Sequence, residues 1–192
     1  MTDASVLPRP ARPSGFVSTV ALVGFMGAGK TTVGQALADR LGWRFADLDQ
    51  LIEAREGRTV PQIFEQEGEP GFRELEQVVL TEALNSGLNC FVLALGGGAF
   101  VSSEVRQILR LRGIPAIWLD APAEELFRRC GQPEVVRPLR QDADQFAKLY
   151  EQRLSSYRQA ALRVITTRKD IPTLVDEIIA QLALNQAPRS VE

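Results

Sequence analysis

The chain has 192 residues, 45% hydrophobic and 24% charged, with a formal net charge of −2. That suits one folded unit with a buried core, and leaves no basic field to recruit nucleic acid or an anionic membrane. Histidine is absent, which excludes a Ser-His-Asp triad, a His general base and any His-ligated metal.

The opening "MTDASVLPRPARPSG", residues 1–15, is rich in Pro and small residues and reads as a mobile tail. A single domain is expected over 16–186, with a second short tail at 187–192. "STVALVGF" (18–25) is an almost unbroken apolar run, as a strand buried on both faces requires. "KTTVGQALADRLG" follows as a helix stopped by Gly42, and "RFADLD" (44–49) as a second strand. A polar helical region spans about 50–85, broken near Gly57, Pro61 and "EGEPG". "CFVLALGGG" (90–98) is a third strand, followed by a helix over 102–112. "IPAIWLD" is a fourth strand, "PAEELFRRC" a helix, and 131–144 an irregular stretch with Pro, Gly and Arg. "AKLYEQRLSSYRQAA" is helical, "LRVITT" a fifth strand and "IPTLVDEIIAQLAL" a closing helix. Alternating strands and helices argue an α/β/α arrangement, with a five-stranded parallel sheet between helical layers.

Ligands in such sheets bind beyond the carboxyl ends of the strands. Three features lie there: the loop 24–29, the pair Asp47/Asp49, and Gly96, Gly97 and Gly98. They are expected to converge on one crevice. Gly24, Gly27, Gly29, Lys30 and Thr31 match the phosphate-loop pattern G-x-x-x-x-G-K-[ST]. Its backbone N–H groups and the following helix N-terminus cradle an anion, with Lys30 reaching the β- and γ-phosphates of a nucleotide and Thr31 turning its hydroxyl to Mg²⁺; a kinase, a switch, a motor or a bare binding fold could use it. Gly27, Ala28, Gly29, Lys30, Thr31 and Thr32 are the expected phosphate-side contacts. Asp47 and Asp49 are two residues apart, so strand geometry would project both to one side, one for the metal and one for a substrate hydroxyl; both could instead cap the next helix.

Phe64, Gly68, Glu69, Phe72, Arg73 and Glu76 spell F-x-x-x-G-E-x-x-F-R-x-x-E. Together with "GFMGAGKTTVG", "DLD" and "LGGG", this pattern resembles the shikimate kinase family over roughly 18–185. The resemblance implies a P-loop kinase fold with a mobile lid over about 128–144, and γ-phosphate transfer from ATP to the 3-hydroxyl of shikimate. It implies that Asp49 binds the acceptor hydroxyls and takes the proton, and that Asp47 holds Mg²⁺ through water. Arg73, oriented by Glu76, and Arg153, in an R-x-x-x-Y motif, would clamp the carboxylate. Gly96, Gly97 and Gly98 would offer backbone. Arg137 of "VRPL" would act on the transferring phosphoryl group, while Arg129, Arg168 and Pro172 would surround the adenine.

The chemistry of the residues agrees. A small anionic polyol needs arginine for its carboxylate and acceptors for its hydroxyls. A carboxylic acid with a pKa near about 4 is a weak base for an alcohol, which phosphoryl transfer tolerates because positioning and charge dominate it. Other small-molecule P-loop kinases, for gluconate or nucleotides, would share the glycine loop without the remaining motifs. A non-catalytic sensor would lack Lys30, Asp49 or Arg137, and all three are present. The expected partners are ATP and shikimate alone, in a cytoplasmic monomer; Cys90 and Cys130 read as free thiols.

Overall fold

Largely apolar runs form the middle of the sheet. β1 (Thr19–Val23), β3 (Phe91–Ala94) and β4 (Ala116–Asp120) are buried along almost their whole length. β2 (Arg44–Asp47) and β5 (Leu162–Ile165) carry exposed positions and lie at the two edges. The order is β2-β3-β1-β4-β5, every neighbouring pair is parallel, and the sheet class expected from the alternating pattern is observed. The computed structural model describes residues 17–86, 89–130 and 143–185. The expected tails, the lid residues 131–142 and Arg137 among them lie outside the described residues.

From β1 the chain passes β3 to reach β2, and then steps back across the sheet to β3, β4 and β5. Right-handed crossovers therefore put α1 (Lys30–Leu41) on one face and the later connecting helices on the other. α7 (Ile171–Leu182) packs on α1. The opposite layer comprises α2 (Leu48–Glu56), α3 (Val60–Asn85), α4 (Ser103–Leu111), α5 (Ala123–Cys130) and α6 (Ala143–Tyr157). Because all strands run the same way, the loops after β1, β2 and β3 open on one edge of the sheet. No helix among the described residues is long and apolar enough to cross a membrane.

The helical stretch after β2 breaks where its sequence suggested, by three different means. Gly57 ends α2 in the left-handed region, and Thr59 with Gln62 forms a reciprocal capping box at the start of α3, where Pro61 occupies the first turn. At "EGEPG" α3 is two helical segments joined across a kink. Gly68 adopts φ 69° and ψ −177°, Pro70 follows inside the helix, and the Phe64 and Phe72 rings stack across the kink at 4.5 Å.

One local expectation is corrected. The second strand stops at Asp47, and Asp49 lies in the first turn of α2. The two aspartates are therefore not alternating residues of one strand. Asp47 is the N-cap, and its Oδ1 accepts from the Asp49 N–H at 3.1 Å. The capping preference of Asp overrode continuation of the strand.

Candidate active site

The loop after β1 turns through left-handed glycines. Gly29 is the N-cap of α1 with φ 87°, and the first helical hydrogen bond runs from Val33 N–H to Gly29 C=O. The preceding first-turn N–H groups, those of Lys30, Thr31 and Thr32, therefore point past the helix end, as an anion site requires. Lys30 Nζ donates to the carbonyls of Gly24 and Phe25 at 3.0 and 3.2 Å, folding back over the loop. Ala28 N–H is turned inward to the Phe25 carbonyl, so of the expected cradle residues Ala28 contributes to the loop's own geometry. The Thr31 hydroxyl donates to Asp47 Oδ2 at 2.9 Å, which joins the start of α1 to the end of β2.

The triple glycine after β3 is where the other side chains gather. A Cβ on Gly96 would stand 2.6 Å from Asp49 Oδ1 and 3.2 Å from Glu76 Oε1. A Cβ on Gly98 would overlap the Arg73 guanidinium. A Cβ on Gly97 would lie 3.6 Å from Arg153 Nη1 and 3.6 Å from Met26 N of the phosphate loop. Asp49, Arg73 and Arg153, expected from separate motifs, are thus assembled around three consecutive residues without side chains. The carbonyls of this turn are engaged: Gly96 by Ala99 N–H, Gly98 by Val101 N–H, and Gly97 by Arg153 Nη1 at 3.1 Å and the Tyr157 hydroxyl. What it offers a ligand is its N–H edge.

Arg73 is held from both sides on α3. Its Nη1 donates to Glu76 at 2.8 Å and its Nη2 to Glu69 at 3.1 Å, so the Arg–Glu pairing expected from spacing is present. Glu76 is 1% exposed, and its Oε1 makes no hydrogen bond among the described residues. Burial pushes its carboxyl up to about 7, and the nearby Asp49 adds to the rise, against the opposing pull of Arg73. Arg73, Arg153 and Gly98 line one open cleft of about 470 Å³.

Two contributors went unread as site residues. Tyr157 follows Arg153 by one helical turn, so both reach Gly97 from one face of α6, and the "R-x-x-x-Y" spacing was the signal. Burial pushes the Tyr157 phenol up to about 12, which keeps it a hydrogen-bond donor. Asp120, at the end of β4, accepts from Tyr150 of α6 at 2.7 Å and from Arg163 of β5, anchoring the helix that carries Arg153. No local motif marks Asp120, because its partners are 30 and 43 residues away.

Of the residues expected at adenine, Arg129 reaches Thr166, which follows β5 two positions before Arg168. Arg129 donates to the Thr166 hydroxyl and carbonyl and pairs with Glu125 at 2.6 Å. Arg168 is exposed with φ 57°, and Pro172 is exposed in the first turn of α7, after the Asp170 N-cap.

Known proteins resemble this chain in sequence and fold. A model described as shikimate kinase matches residues 26–183. A shikimate kinase of Persephonella marina is 39% identical over 161 residues, covering 84% of this chain and 96% of that protein. One of Symbiobacterium thermophilum is 45% identical over 168 residues, covering 85% and 95%. The solved shikimate kinase of Acinetobacter baumannii in complex with shikimate superposes with a TM-score of 0.79 at 37% identity, over 88% of this chain and 94% of that one. With the family model and these relatives matched over most of its length, the chain belongs to the shikimate kinase family of ATP-dependent phosphotransferases.

Proposed function

We propose that the chain moves the γ-phosphate of ATP to the 3-hydroxyl of shikimate, giving shikimate 3-phosphate and ADP in chorismate and aromatic amino-acid synthesis. One observation carries the reading: the turn bearing the acceptor residues abuts the phosphate loop, with a Cβ on Gly97 only 3.6 Å from Met26 N and 3.8 Å from Gly24 O. A phosphate in the loop and an acid held over the glycines are neighbours, and proximity with in-line alignment is most of what phosphoryl transfer needs.

Arg73 and Arg153 bind the acceptor carboxylate, with Glu76 and Tyr157 fixing their approach. Asp49 orients the acceptor hydroxyl. The hydroxyl oxygen bonds to the γ-phosphorus as the bond to the β-phosphate oxygen breaks, ADP leaves with that electron pair, and the hydroxyl proton passes late to Asp49. Lys30 neutralises charge on the phosphates. Arg137 is assigned the same task on the transferring group from the family resemblance, and Arg129, Arg168 and Pro172 the base.

The residues at the loop fit Mg²⁺. Thr31 and Asp47 present two hard oxygen donors 2.9 Å apart, and Mg²⁺ takes one or two protein oxygens beside phosphates and water. When bound it would neutralise phosphate charge. The protein is further read as a cytoplasmic monomer: Cys90 and Cys130 are not joined in a disulfide, and the large exposed apolar side chains of the described residues are spread over α3, the turn 99–101, α4 and β5. Size-exclusion with light scattering checks the monomer.

The deciding assay is coupled ADP release with Mg²⁺ and ATP, offering shikimate, gluconate and nucleoside monophosphates separately. Release with shikimate alone is expected. Turnover of gluconate or a nucleotide instead removes Arg73 and Arg153 as shikimate ligands, and silence with every acceptor despite ATP binding leaves a sensor.

A further inference from the structure

Phe25 occupies a position where the phosphate-loop pattern asks nothing of the side chain, yet its ring is fully buried. The ring meets Phe146 and Tyr150 of α6 edge-on, at centroid separations of 4.8 and 5.6 Å. Arg153, on the same helix, sets its guanidinium carbon 5.3 Å from the same ring. The main chain of Phe25 belongs to the other half of the site: its carbonyl accepts from Lys30 Nζ and from Ala28 N–H, each at 3.2 Å. One residue touches the phosphate lysine through its carbonyl and the carboxylate arginine through its ring.

We propose that Phe25 is a positioning residue that couples the two substrate sites, so that binding of the nucleotide and binding of the acid each favour the other. The inference rests on the reading of Lys30 and Arg153 given above. A phosphate that draws the Lys30 ammonium towards itself loosens it from the Gly24 and Phe25 carbonyls, and the Phe25 peptide adjusts. Its ring is wedged among α6 side chains, so a shift of the peptide is felt by Arg153, since close-packed interiors transmit displacement. An acid that fixes Arg153 over the ring likewise fixes the loop, and the nucleotide then meets a loop already ordered; a shared element that is ordered once yields positive coupling. Both ligands are anions, so their direct field alone would make each weaken the other. Mutual tightening therefore needs a link through the protein, and linkage makes its size the same in both directions.

The test is titration calorimetry on the full chain with Mg²⁺ present. Affinity for ADP is measured with and without saturating shikimate, and affinity for shikimate with and without saturating ADP. ADP has no γ-phosphoryl group to touch the acceptor and repels it through space, so any tightening that is read passes through the protein. In the unmodified protein each ligand is expected to tighten the other about 5- to 30-fold, the range of ordinary allosteric coupling and of a desolvated cation–π contact. Phe25→Leu is expected to bring that factor to about one or below, with each affinity measured alone within about threefold, a split that a general loss of stability would not produce. Phe25→Met carries the same test if the leucine variant does not fold. A factor unchanged in both variants, or no tightening in the unmodified protein, overturns the proposal. Failure of shikimate to bind at all overturns the Arg153 assignment and the link with it, whereas normal single-ligand binding with an unchanged factor overturns the link alone.

Discussion

Gly29 in the loop after β1 and Gly98 in the turn after β3 stand at the two halves of the site, and each excludes a side chain for its own reason. Gly29 has φ 87°, and the nearest atom to a Cβ there is Val33 Cγ2 at 3.9 Å. There is room for a methyl group but no favourable backbone for it. Gly98 has φ −104°, a conformation any residue adopts, but a Cβ there would overlap the Arg73 guanidinium. One glycine serves a backbone that must curl around phosphate, the other a side chain that must lie flat on the main chain. Glycine-rich motifs that look alike in sequence can therefore encode a donor array in one case and a floor in the other.

Four experiments break or sharpen that contrast. The largest effect is expected from Asp49→Asn on the floor side: kcat falls by about two to four orders of magnitude if its role is acid–base and positional, while ATP affinity stays within about threefold. Equal loss of turnover and ATP binding in steady-state and titration data would erase the division between the halves. Arg73→Ala follows, with the KM for shikimate rising by about one to two orders of magnitude, the value of a charged hydrogen bond, and little change in the KM for ATP.

The third experiment crosses the two glycines. Gly29→Ala is expected to weaken ADP binding about 5- to 30-fold through left-handed strain and leave shikimate binding nearly unchanged. Gly98→Ala is expected to do the reverse by pushing Arg73 aside. If both variants damage the same ligand in calorimetry, the distinction between conformation and room is wrong.

The smallest effect concerns pH. The Glu76 carboxyl sits at about 7 in the folded protein, against a reference of 4.5. Between those values the folded state holds a proton that the unfolded chain has released, so this group's contribution to stability falls as pH rises through that window. Glu76→Gln should shrink the fall in Tm between pH 5 and 8 by about 5 °C, measured by thermal melts. In the unmodified enzyme, kcat/KM for shikimate should rise severalfold as Glu76 ionises near pH 7 to hold Arg73. That limb should flatten in the Gln variant.

The amino-acid pattern by itself determined the parallel α/β class, the phosphate loop, and the convergence of three motifs at one sheet edge. Each of these is written locally: apolar runs of strand length, glycines at fixed offsets before Lys30, and Glu76 three residues from Arg73 on one helix face. Local rules left strand and helix cap both open at Asp47 and Asp49, and what forms is a cap at Asp47 with Asp49 in the first turn of α2. Only the tertiary structure decided that Arg153 and Tyr157 close on Gly97, that Asp120 anchors α6, and that Phe25 reaches both halves of the site. Those contacts join residues from 30 to more than 100 positions apart, and their geometry is set by strand order and crossover handedness, which no spacing within a single segment records.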